Sequence, residues 1–449
     1  MRRDLSAKYD LRVPRYTSYP TAPHFHPGIG PDDYGRWLAG IAPSEELSLY
    51  LHIAYCAEMC WFCGCHTKIT KRYAPVAAYM DALLGEVELV AQKLPTRMTA
   101  RHIHFGGGSP TILSPEDFVR TVDTLRNKFI VKPDAEVAVE LDPRTADEEY
   151  VKAMASAGVT RASIGVQDFD PKVQKAINRI QPYEVTANVI DWLRKHGVPE
   201  INMDLVYGLP HQTVDGLLDT IDKAHGFRPR RIALFGYAHV PWMKKHMRLI
   251  PEDSLPDTDT RWQQYEQATA KLEALGYVKI GLDHFAAPDD KLALALKEKH
   301  LHRNFQGYTT DTADTLIGFG ASGIGSLPQG YVANQGEIHQ YQEAIAAGRL
   351  ATARGVGIND DDRLRRDIIM TLMCDLEIDL DVVCARHGAD AAQFDAELAA
   401  IAPMQEDGLA VVEGRRITVT DEGRTLVRAV AAAFDRYLKK GEQRHSKAV

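Results

Sequence analysis

Four of the six cysteines in this 449-residue chain lie within ten residues, in the segment YCAEMCWFCGC. Cys56, Cys60, Cys63 and Cys65 have the spacing C-x3-C-x2-C-x-C and follow the short apolar run LSLYLHI (47–53). In a reducing compartment, clustered thiols indicate metal binding or chemistry rather than disulfides.

Three kinds of metal site are compatible with these thiols. A zinc site would use Cys56, Cys60, Cys63 and His66, although zinc ligands usually come as two separated pairs. An ordinary ferredoxin-type cluster needs a fourth ligating cysteine and has other spacings. The third kind is an iron–sulfur cluster with three thiolates and one open iron, which the short loop favours because each thiolate can reach a different iron. Cys65 would point away from Cys63 in an extended segment. The zinc site stays open as an alternative.

The elements around this segment alternate between strand and helix. Short apolar runs recur at 47–53, 101–105, 136–141, 161–166, 201–207, 231–237 and 277–282. Amphipathic helical stretches separate them, most clearly at 76–94, and Ser114, Gly158 and Gly197 mark helix ends. This alternation predicts an α/β fold with six or seven parallel βα units, a complete or partial TIM-like barrel. Active sites of such barrels form at the carboxyl ends of the strands, where the cysteine segment begins.

The composition changes near residue 340, where Ala, Leu, Asp and Arg recur with helical spacing. The stretch DGLAVVEGRRITVTDEGRTLVRAVAAAF (407–434) reads as a strand, a tight turn at Gly414, a strand and a helix. We therefore predict an N-terminal arm and lead-in at 1–40, a barrel with its extension at 41–335 (core about 41–275) and a mainly helical, winged-helix-like C-terminal domain at 336–449.

Charge and hydropathy limit the partners. Lys and Arg number 53 and Asp and Glu 61, so the net charge is −8, and we expect no nucleic-acid or membrane partner. No apolar run approaches the roughly 18 residues of a membrane span. We expect a cytoplasmic monomer, in which Cys374 and Cys384 are buried structural residues.

The cysteine segment resembles the C-x3-C-aromatic-x-C signature of radical S-adenosylmethionine enzymes, whose fold is a full or partial βα barrel. Cys65 and six further motifs resemble one family among them, the oxygen-independent coproporphyrinogen III oxidases, over nearly the whole chain. The motifs are PRYTSYPTA (14–22), HFGGGSPT (104–111), ELDPR (140–144), GVQDF (165–169), DLVYGLP (204–210) and LHRNFQGYTT (301–310). Ala54 and Trp61 depart from the family's usual proline and tyrosine.

The resemblance implies one 4Fe–4S cluster on Cys56, Cys60 and Cys63, and two molecules of S-adenosylmethionine, one of them on the open iron. It implies catalytic roles for Cys65 and Glu140. The implied cofactor contacts are Tyr50, Phe62, Gly107, Gly108, Ser109, Glu140, Gln167, Arg179, Asp204, Ala238 and Ile324, of which Phe62, Gln167, Arg179 and Asp204 belong to the second molecule. From the residues alone, the glycines are equally a flexible turn, and Glu140 and Asp204 could be helix caps.

The implied reaction is the anaerobic oxidative decarboxylation of two propionates of coproporphyrinogen III to vinyl groups, giving protoporphyrinogen IX for haem biosynthesis. A low-potential donor would reduce the cluster, and the resulting 5′-deoxyadenosyl radical would take a hydrogen atom from each propionate. Arg15 and Arg303 are candidate partners of the substrate carboxylates, and the aromatic, proline-rich arm is expected to fold across the open barrel. The alternatives are a haem-binding chaperone on the same fold, whose members generally lack Cys65 and the arm, and a zinc-stabilised winged-helix binding protein.

Overall fold

The computed structural model describes residues 5, 8–9 and 13–438. The chain divides into two compact units. The barrel unit comprises Phe25–Gly276 and Asp311–Gly357, and the C-terminal unit comprises Met1–His24, Tyr277–Thr310 and Ile358–Val449. The predicted domain boundary between residues 335 and 336 remains a prediction. In the structure the last segment of the barrel unit ends at Gly357, and the last segment of the C-terminal unit begins at Ile358.

The barrel unit is built on seven parallel strands, which confirms the predicted α/β barrel class. In chain order they are β1 (Glu46–Ile53), β2 (Thr99–Gly107), β3 (Ile130–Leu141), β4 (Arg161–Gln167), β5 (Glu200–Tyr207), β6 (Arg231–Gly236) and β7 (Thr315–Phe319). Strands β1 to β6 pair in sequence order, and β7 pairs with the other side of β1. Three antiparallel strands continue the sheet beyond β7: Ile324–Leu327, Gly330–Asn334 and Thr352–Gly357.

Helices connect the parallel strands, as the sequence pattern predicts. They are Ala74–Lys93, Pro115–Lys128, Glu148–Ser156, Pro171–Ala176, Tyr183–Lys195, Val214–Gly226 and Thr258–Ala274. Ser114 is the N-cap of its helix, since its hydroxyl accepts a hydrogen bond from the Asp117 N–H at 3.1 Å. Gly158 and Gly197 have φ values of +91° and +86° and stand directly after helix ends.

Smaller elements complete the barrel unit. The helices are Pro31–Ala39 and Ile338–Ala346, with 3-10 turns at Pro110–Ile112, Lys245–Leu249 and Glu252–Ser254, and a two-strand ladder joins Tyr55–Cys56 to Lys68–Ile69. Among the described residues, no helix is long and apolar enough to cross a membrane.

The C-terminal unit is mainly helical. Its helices are Lys291–Lys297, Asp360–Asp375, Leu380–Arg386, Asp395–Glu406 and Val427–Ala432, with 3-10 turns at Ala22–His24, Ala391–Phe394 and Arg424–Leu426. Its strands are Val278–Ile280, His284–Ala286, His302–Asn304, Gly307–Thr309, Glu377–Asp379, Ala410–Glu413 and Arg416–Val419. The predicted strand–turn–strand–helix is present, with Gly414 at φ +62° in the turn.

One candidate barrel strand was wrong. Of the run 277–282 only Val278–Ile280 is a strand, and it pairs antiparallel with His284–Ala286 in the C-terminal unit. The seventh parallel strand is Thr315–Phe319, whose five residues are all buried. An apolar run of this length does not indicate whether the strand pairs in parallel or antiparallel, and here a short turn lets Val278–Ile280 pair antiparallel with the strand that follows.

The described part of the N-terminal arm is packed into the C-terminal unit. Tyr16 and Tyr19 are fully buried in the core of that unit, and the Tyr16 hydroxyl donates to Asp435 at 3.1 Å. Arg15 pairs with Asp283, and Arg303 donates to the carbonyl oxygens of residues 15 and 16. The arm's aromatic residues thus serve as core, and its closure over the barrel stays a prediction.

Glu86 is a fully buried carboxylate that ties the first barrel helix to the segments after β7. It accepts hydrogen bonds from the Gly320 N–H at 2.7 Å, the Asn334 amide at 2.6 Å and the Tyr341 hydroxyl at 2.8 Å. Burial raises the pKa of Glu86 to about 7. The three hydrogen bonds lower this pKa, but burial has the larger effect.

This raised pKa predicts a pH-dependent stability. Between the ordinary glutamate value and pH 7 the folded state binds more protons than the unfolded state, so the contribution of Glu86 becomes less favourable as pH rises. Relative to wild type, Glu86→Gln should therefore gain ~2–3 kcal/mol of unfolding free energy between about pH 5 and pH 8. Anaerobic urea unfolding of the cluster-free protein at several pH values measures this gain. Glu88→Gln, on the same helix but with a 45% exposed side chain, is the control. Equal pH profiles for the two variants would contradict the assignment.

Candidate active site

The cysteine segment leaves the carboxyl end of β1 and is held there by the turn that follows β2. The Gly108 N–H donates to the Ile53 carbonyl at 2.7 Å, and the Ser109 N–H donates to the Tyr55 carbonyl at 2.9 Å. The segment then returns through the ladder between Tyr55–Cys56 and Lys68–Ile69. Both ends of the loop that carries the thiols are therefore fixed to the sheet.

The three glycines after β2 allow these close approaches. A Cβ atom on Gly108 would lie 2.5 Å from the Tyr55 carbonyl oxygen, and one on Gly107 would lie 2.7 Å from the His52 ring. Gly107 also has a φ of +106°, which favours glycine. The turn is thus tightly packed rather than flexible. Its predicted contact with S-adenosylmethionine stays a prediction.

Hydrogen-bond donors surround the thiols of the three candidate ligands. Cys60 is buried and Cys56 and Cys63 are half-buried, whereas Cys65 is exposed. The Thr67 hydroxyl lies 3.2 Å from Cys56 Sγ, and the Cys65 N–H donates to Cys63 Sγ at 3.3 Å. Hydrogen bonding from Cys65 lowers the pKa of Cys63, whereas burial raises the pKa of Cys56 to about 12. A bound metal would deprotonate both thiols.

Two arginines, the half-buried Arg144 and the buried Arg179, point at Cys60. Nη2 of Arg144 lies 3.3 Å and Nη1 of Arg179 lies 3.5 Å from Cys60 Sγ. Asp142 orients both, accepting from Arg144 at 2.7 Å and from Arg179 at 3.2 Å. Burial would raise the pKa of Asp142, but the two guanidinium groups outweigh burial and hold it below its usual value. Cationic donors stabilise thiolate, so this donor set suits an anionic cluster.

Asp142 and Arg144 are site residues that the sequence reasoning missed. Both lie in the quoted motif ELDPR, yet no role was assigned to them. The available signal was their position, directly after a strand end of the barrel.

The geometry argues against the zinc alternative. His66, the fourth proposed zinc ligand, hydrogen-bonds through Nε2 to the Gly336 carbonyl at 2.6 Å. Within the part of the chain that the structure describes, no three His, Cys, Asp or Glu side chains converge as ligands of one metal ion do. A cubane needs no such convergence, because each of its thiolates binds a different iron.

Aromatic and acidic side chains line the barrel beside the cysteine loop. Glu140, on β3, accepts from the Gly107 N–H at 3.3 Å and bonds His104 Nε2 at 3.0 Å. His104 stacks on Tyr50, with 5.8 Å between ring centroids. Tyr50 in turn bonds Nδ1 of His52 at 3.2 Å, and burial lowers the pKa of His52. Glu140 is therefore not a helix cap but part of a network across β1, β2 and β3.

Asp204 lies on β5 opposite Gly165 of β4. Among the described residues it makes no hydrogen bond or ion pair. Burial raises the pKa of Asp204 to about 7; the Glu140 carboxylate acts in the same direction and Arg179 opposes it. A carboxylate without a partner in this position is suited to a ligand hydroxyl or ammonium group.

The other predicted contacts lie at the same end of the sheet or in the segments that follow. Gln167 ends β4 with a φ of +69°, and Ala238 is exposed in the loop after β6. Phe62 packs in an apolar cluster with Tyr237 and Met247. Ser109 is buried, with its hydroxyl 2.7 Å from that of Thr111, and Ile324 begins the strand after β7.

Known proteins match the chain along its whole length. The family model of the radical SAM superfamily matches residues 50–224, and that of the HemN C-terminal domain matches residues 358–426. The oxygen-independent coproporphyrinogen III oxidase of Bradyrhizobium diazoefficiens is 52% identical over 100% of both chains. That of Pseudomonas aeruginosa is 40% identical over 99% of this chain and 98% of its own.

A solved structure agrees with these relatives. The radical SAM enzyme coproporphyrinogen III oxidase (HemN) from Escherichia coli superposes with a TM-score of 0.91 and 36% identity, over 95% of this chain and 100% of its own. The superfamily implies a 4Fe–4S cluster and S-adenosylmethionine as cofactors. The chain belongs to the oxygen-independent coproporphyrinogen III oxidases of the radical S-adenosylmethionine superfamily.

Proposed function

We propose that this chain converts two propionate side chains of coproporphyrinogen III to vinyl groups without oxygen, giving protoporphyrinogen IX. The observation that carries the proposal is the set of three thiols at the mouth of a parallel barrel, two of which accept hydrogen bonds from cationic or hydroxyl side chains. The relatives' names, oxygen-independent coproporphyrinogen III oxidase, supply the substrate. The chain would act as a cytoplasmic monomer and take electrons from a low-potential donor.

Cys56, Cys60 and Cys63 would hold the 4Fe–4S cluster. When bound, the cluster and S-adenosylmethionine supply one-electron chemistry that removes a hydrogen atom from the substrate propionate. Arg144 and Arg179 would hold the Cys60 sulfur in place by hydrogen bonds, and Asp142 fixes both guanidinium groups. Hydrogen bonds to cluster sulfurs tune the reduction potential, so these arginines would also set how easily the cluster is reduced.

The proposed cofactor contacts form two groups. Tyr50, Gly107, Gly108, Ser109, Glu140, Ala238 and Ile324 would bind the S-adenosylmethionine on the open iron, and Phe62, Gln167, Arg179 and Asp204 the second molecule. The carboxylate of Asp204 and the guanidinium of Arg179 offer charges of both signs, as an amino-acid zwitterion requires. Cys65 and Glu140 are proposed as catalytic, Cys65 because its exposed thiol is not needed as a cluster ligand.

The direct test is anaerobic incubation of the reconstituted protein with dithionite, S-adenosylmethionine and coproporphyrinogen III. We expect protoporphyrinogen IX together with methionine and 5′-deoxyadenosine, measured by chromatography of the oxidised porphyrins and of the nucleoside. Haem binding without any vinyl product, from protein with a full cluster, would instead favour the chaperone function.

The ligand assignment predicts different outcomes for the four clustered cysteines. Cys56→Ala, Cys60→Ala and Cys63→Ala should each lose most of the cluster iron, because no other thiol is placed to replace the missing ligand. Cys65→Ala should keep the cluster and lose product formation. Iron and sulfide per chain after anaerobic reconstitution measure this. If Cys65→Ala lost the cluster and Cys63→Ala kept it, Cys65 rather than Cys63 would be the third ligand.

The two-cofactor proposal predicts a binding stoichiometry. Wild type should bind two molecules of S-adenosylmethionine per chain, and Asp204→Ala should weaken only one of them. Loss of a charged hydrogen bond costs about 1.5–3 kcal/mol, or roughly 10- to 150-fold in affinity. Equilibrium dialysis gives the stoichiometry, with Asp191→Ala, on an outer barrel helix, as the control. One molecule per wild-type chain would show that the second site is absent.

A further inference from the structure

The loop after β6 exposes two large apolar side chains beside the cysteine segment. Trp242 is 61% and Met243 66% exposed, more than any other large hydrophobic residue that the structure describes. Leu249, in the same loop, is 55% exposed. Adjacent exposed apolar side chains of this size mark an interaction site more often than isolated ones do.

The same loop is hydrogen-bonded to the backbone of the cysteine segment. Lys244 Nζ donates to the Cys65 carbonyl at 3.0 Å, and His246 Nε2 bonds the Cys63 carbonyl at 2.8 Å. Met247 packs in the apolar cluster that Trp61 and Phe62 also contact. Whatever binds to Trp242 and Met243 is thus placed next to the loop that holds the thiols.

Positively charged side chains stand in both segments that are hydrogen-bonded to the cysteine segment. Lys245 and Arg248 follow the apolar pair in the loop, and three further cations stand in the segment that leaves the cysteine loop: Lys68, Lys71 and Arg72. All five are exposed, and within the described residues none of them makes an ion pair. One acidic side chain, Glu252, lines the same surface depression as Trp242 and Arg248, so the five cations outnumber this acidic neighbour, although the chain carries −8 overall.

An apolar centre with a charged rim is the anatomy of a protein–protein interface, and tryptophan is enriched among the residues that carry binding energy. We propose that Trp242, Met243, Lys245, Arg248, Lys68, Lys71 and Arg72 form a docking surface for an acidic one-electron carrier protein. The proposal rests on the proposed function, which requires repeated reduction of the cluster from outside. In the step itself the reduced carrier loses one electron and the cluster gains it; no atom is transferred.

The test uses the reconstituted full-length protein without substrate, and reduced acidic flavodoxin as the probe. Stopped-flow absorbance follows cluster reduction. Because charge steers such encounters, Lys245→Glu with Arg248→Glu should slow reduction roughly tenfold or more at about 20 mM ionic strength. The deficit should shrink at about 500 mM, where charges are screened over a few ångströms. Trp242→Ala with Met243→Ala should slow reduction at both ionic strengths, since the lost contacts are apolar.

Two controls make the result specific. Lys93→Glu with Lys152→Glu makes the same change in net charge on outer barrel helices and should leave the flavodoxin rate unchanged. Dithionite should reduce all variants at the wild-type rate, which shows that the cluster is intact.

Two results would overturn the docking surface. One is an unchanged flavodoxin rate in both double variants. The other is a raised KM for coproporphyrinogen III in the Lys245→Glu, Arg248→Glu variant with dithionite as reductant. That result would show that these cations bind the substrate carboxylates. Cluster reduction is measured without substrate, so absence of vinyl product in wild type would refute the proposed function and leave this result standing.

Discussion

The candidate site depends on the pair of backbone hydrogen bonds that joins the cysteine segment to the glycine turn after β2. The Gly108 N–H donates to the Ile53 carbonyl at 2.7 Å and the Ser109 N–H to the Tyr55 carbonyl at 2.9 Å, and these bonds hold two neighbouring strand ends together. They form only if no side chain stands between the two backbones, which is why glycine occupies position 108. With the loop fixed in this way, Cys60 meets Arg144 and Arg179, and Cys63 and Cys65 meet the loop after β6. The ligand loop, its cationic support and the proposed docking surface therefore share one anchor.

Basic and acidic side chains occupy different parts of the site around the cysteine segment. The half-buried Arg144 and the buried Arg179 lie beside Cys60, and they share the carboxylate of Asp142. Glu58 forms a second ion pair with Arg144 at 3.7 Å. Buried charges are costly unless they are paired, and both guanidinium groups also donate to the Cys60 sulfur. Glu140 and Asp204 place carboxyl groups farther along the strand ends. The arginines therefore lie where the cluster would bind, and the carboxyl groups lie where the ammonium and hydroxyl groups of a cofactor would bind.

Local features of the site and fold were predictable from the sequence, and contacts between distant residues were not. The strands, the Ser114 cap and the buried Cys374 and Cys384 follow from periodicity and side-chain chemistry, and the structure confirms them. The bond from Arg144 to Cys60 joins residues 84 positions apart, and no pattern within either segment specifies it. The same limit applies to the pairing of Thr315–Phe319 with β1 and to the packing of the arm's tyrosines in the core of the C-terminal unit. The family resemblance supplied the ligand roles that spacing alone left open between cluster and zinc.

The most direct test of this account is the iron content of two glycine variants after anaerobic reconstitution. A Cβ on Gly108 would meet the backbone oxygens of Tyr55 and Ile53 at 2.5 and 2.8 Å, whereas one on Gly64, inside the cysteine loop, has nothing within 4 Å. Gly64→Ala should hold about four irons per chain, as a cubane requires, and Gly108→Ala should lose most of them while the barrel remains folded. A Gly108→Ala protein with a full cluster and wild-type formation of protoporphyrinogen IX would contradict the claim that this contact positions the site.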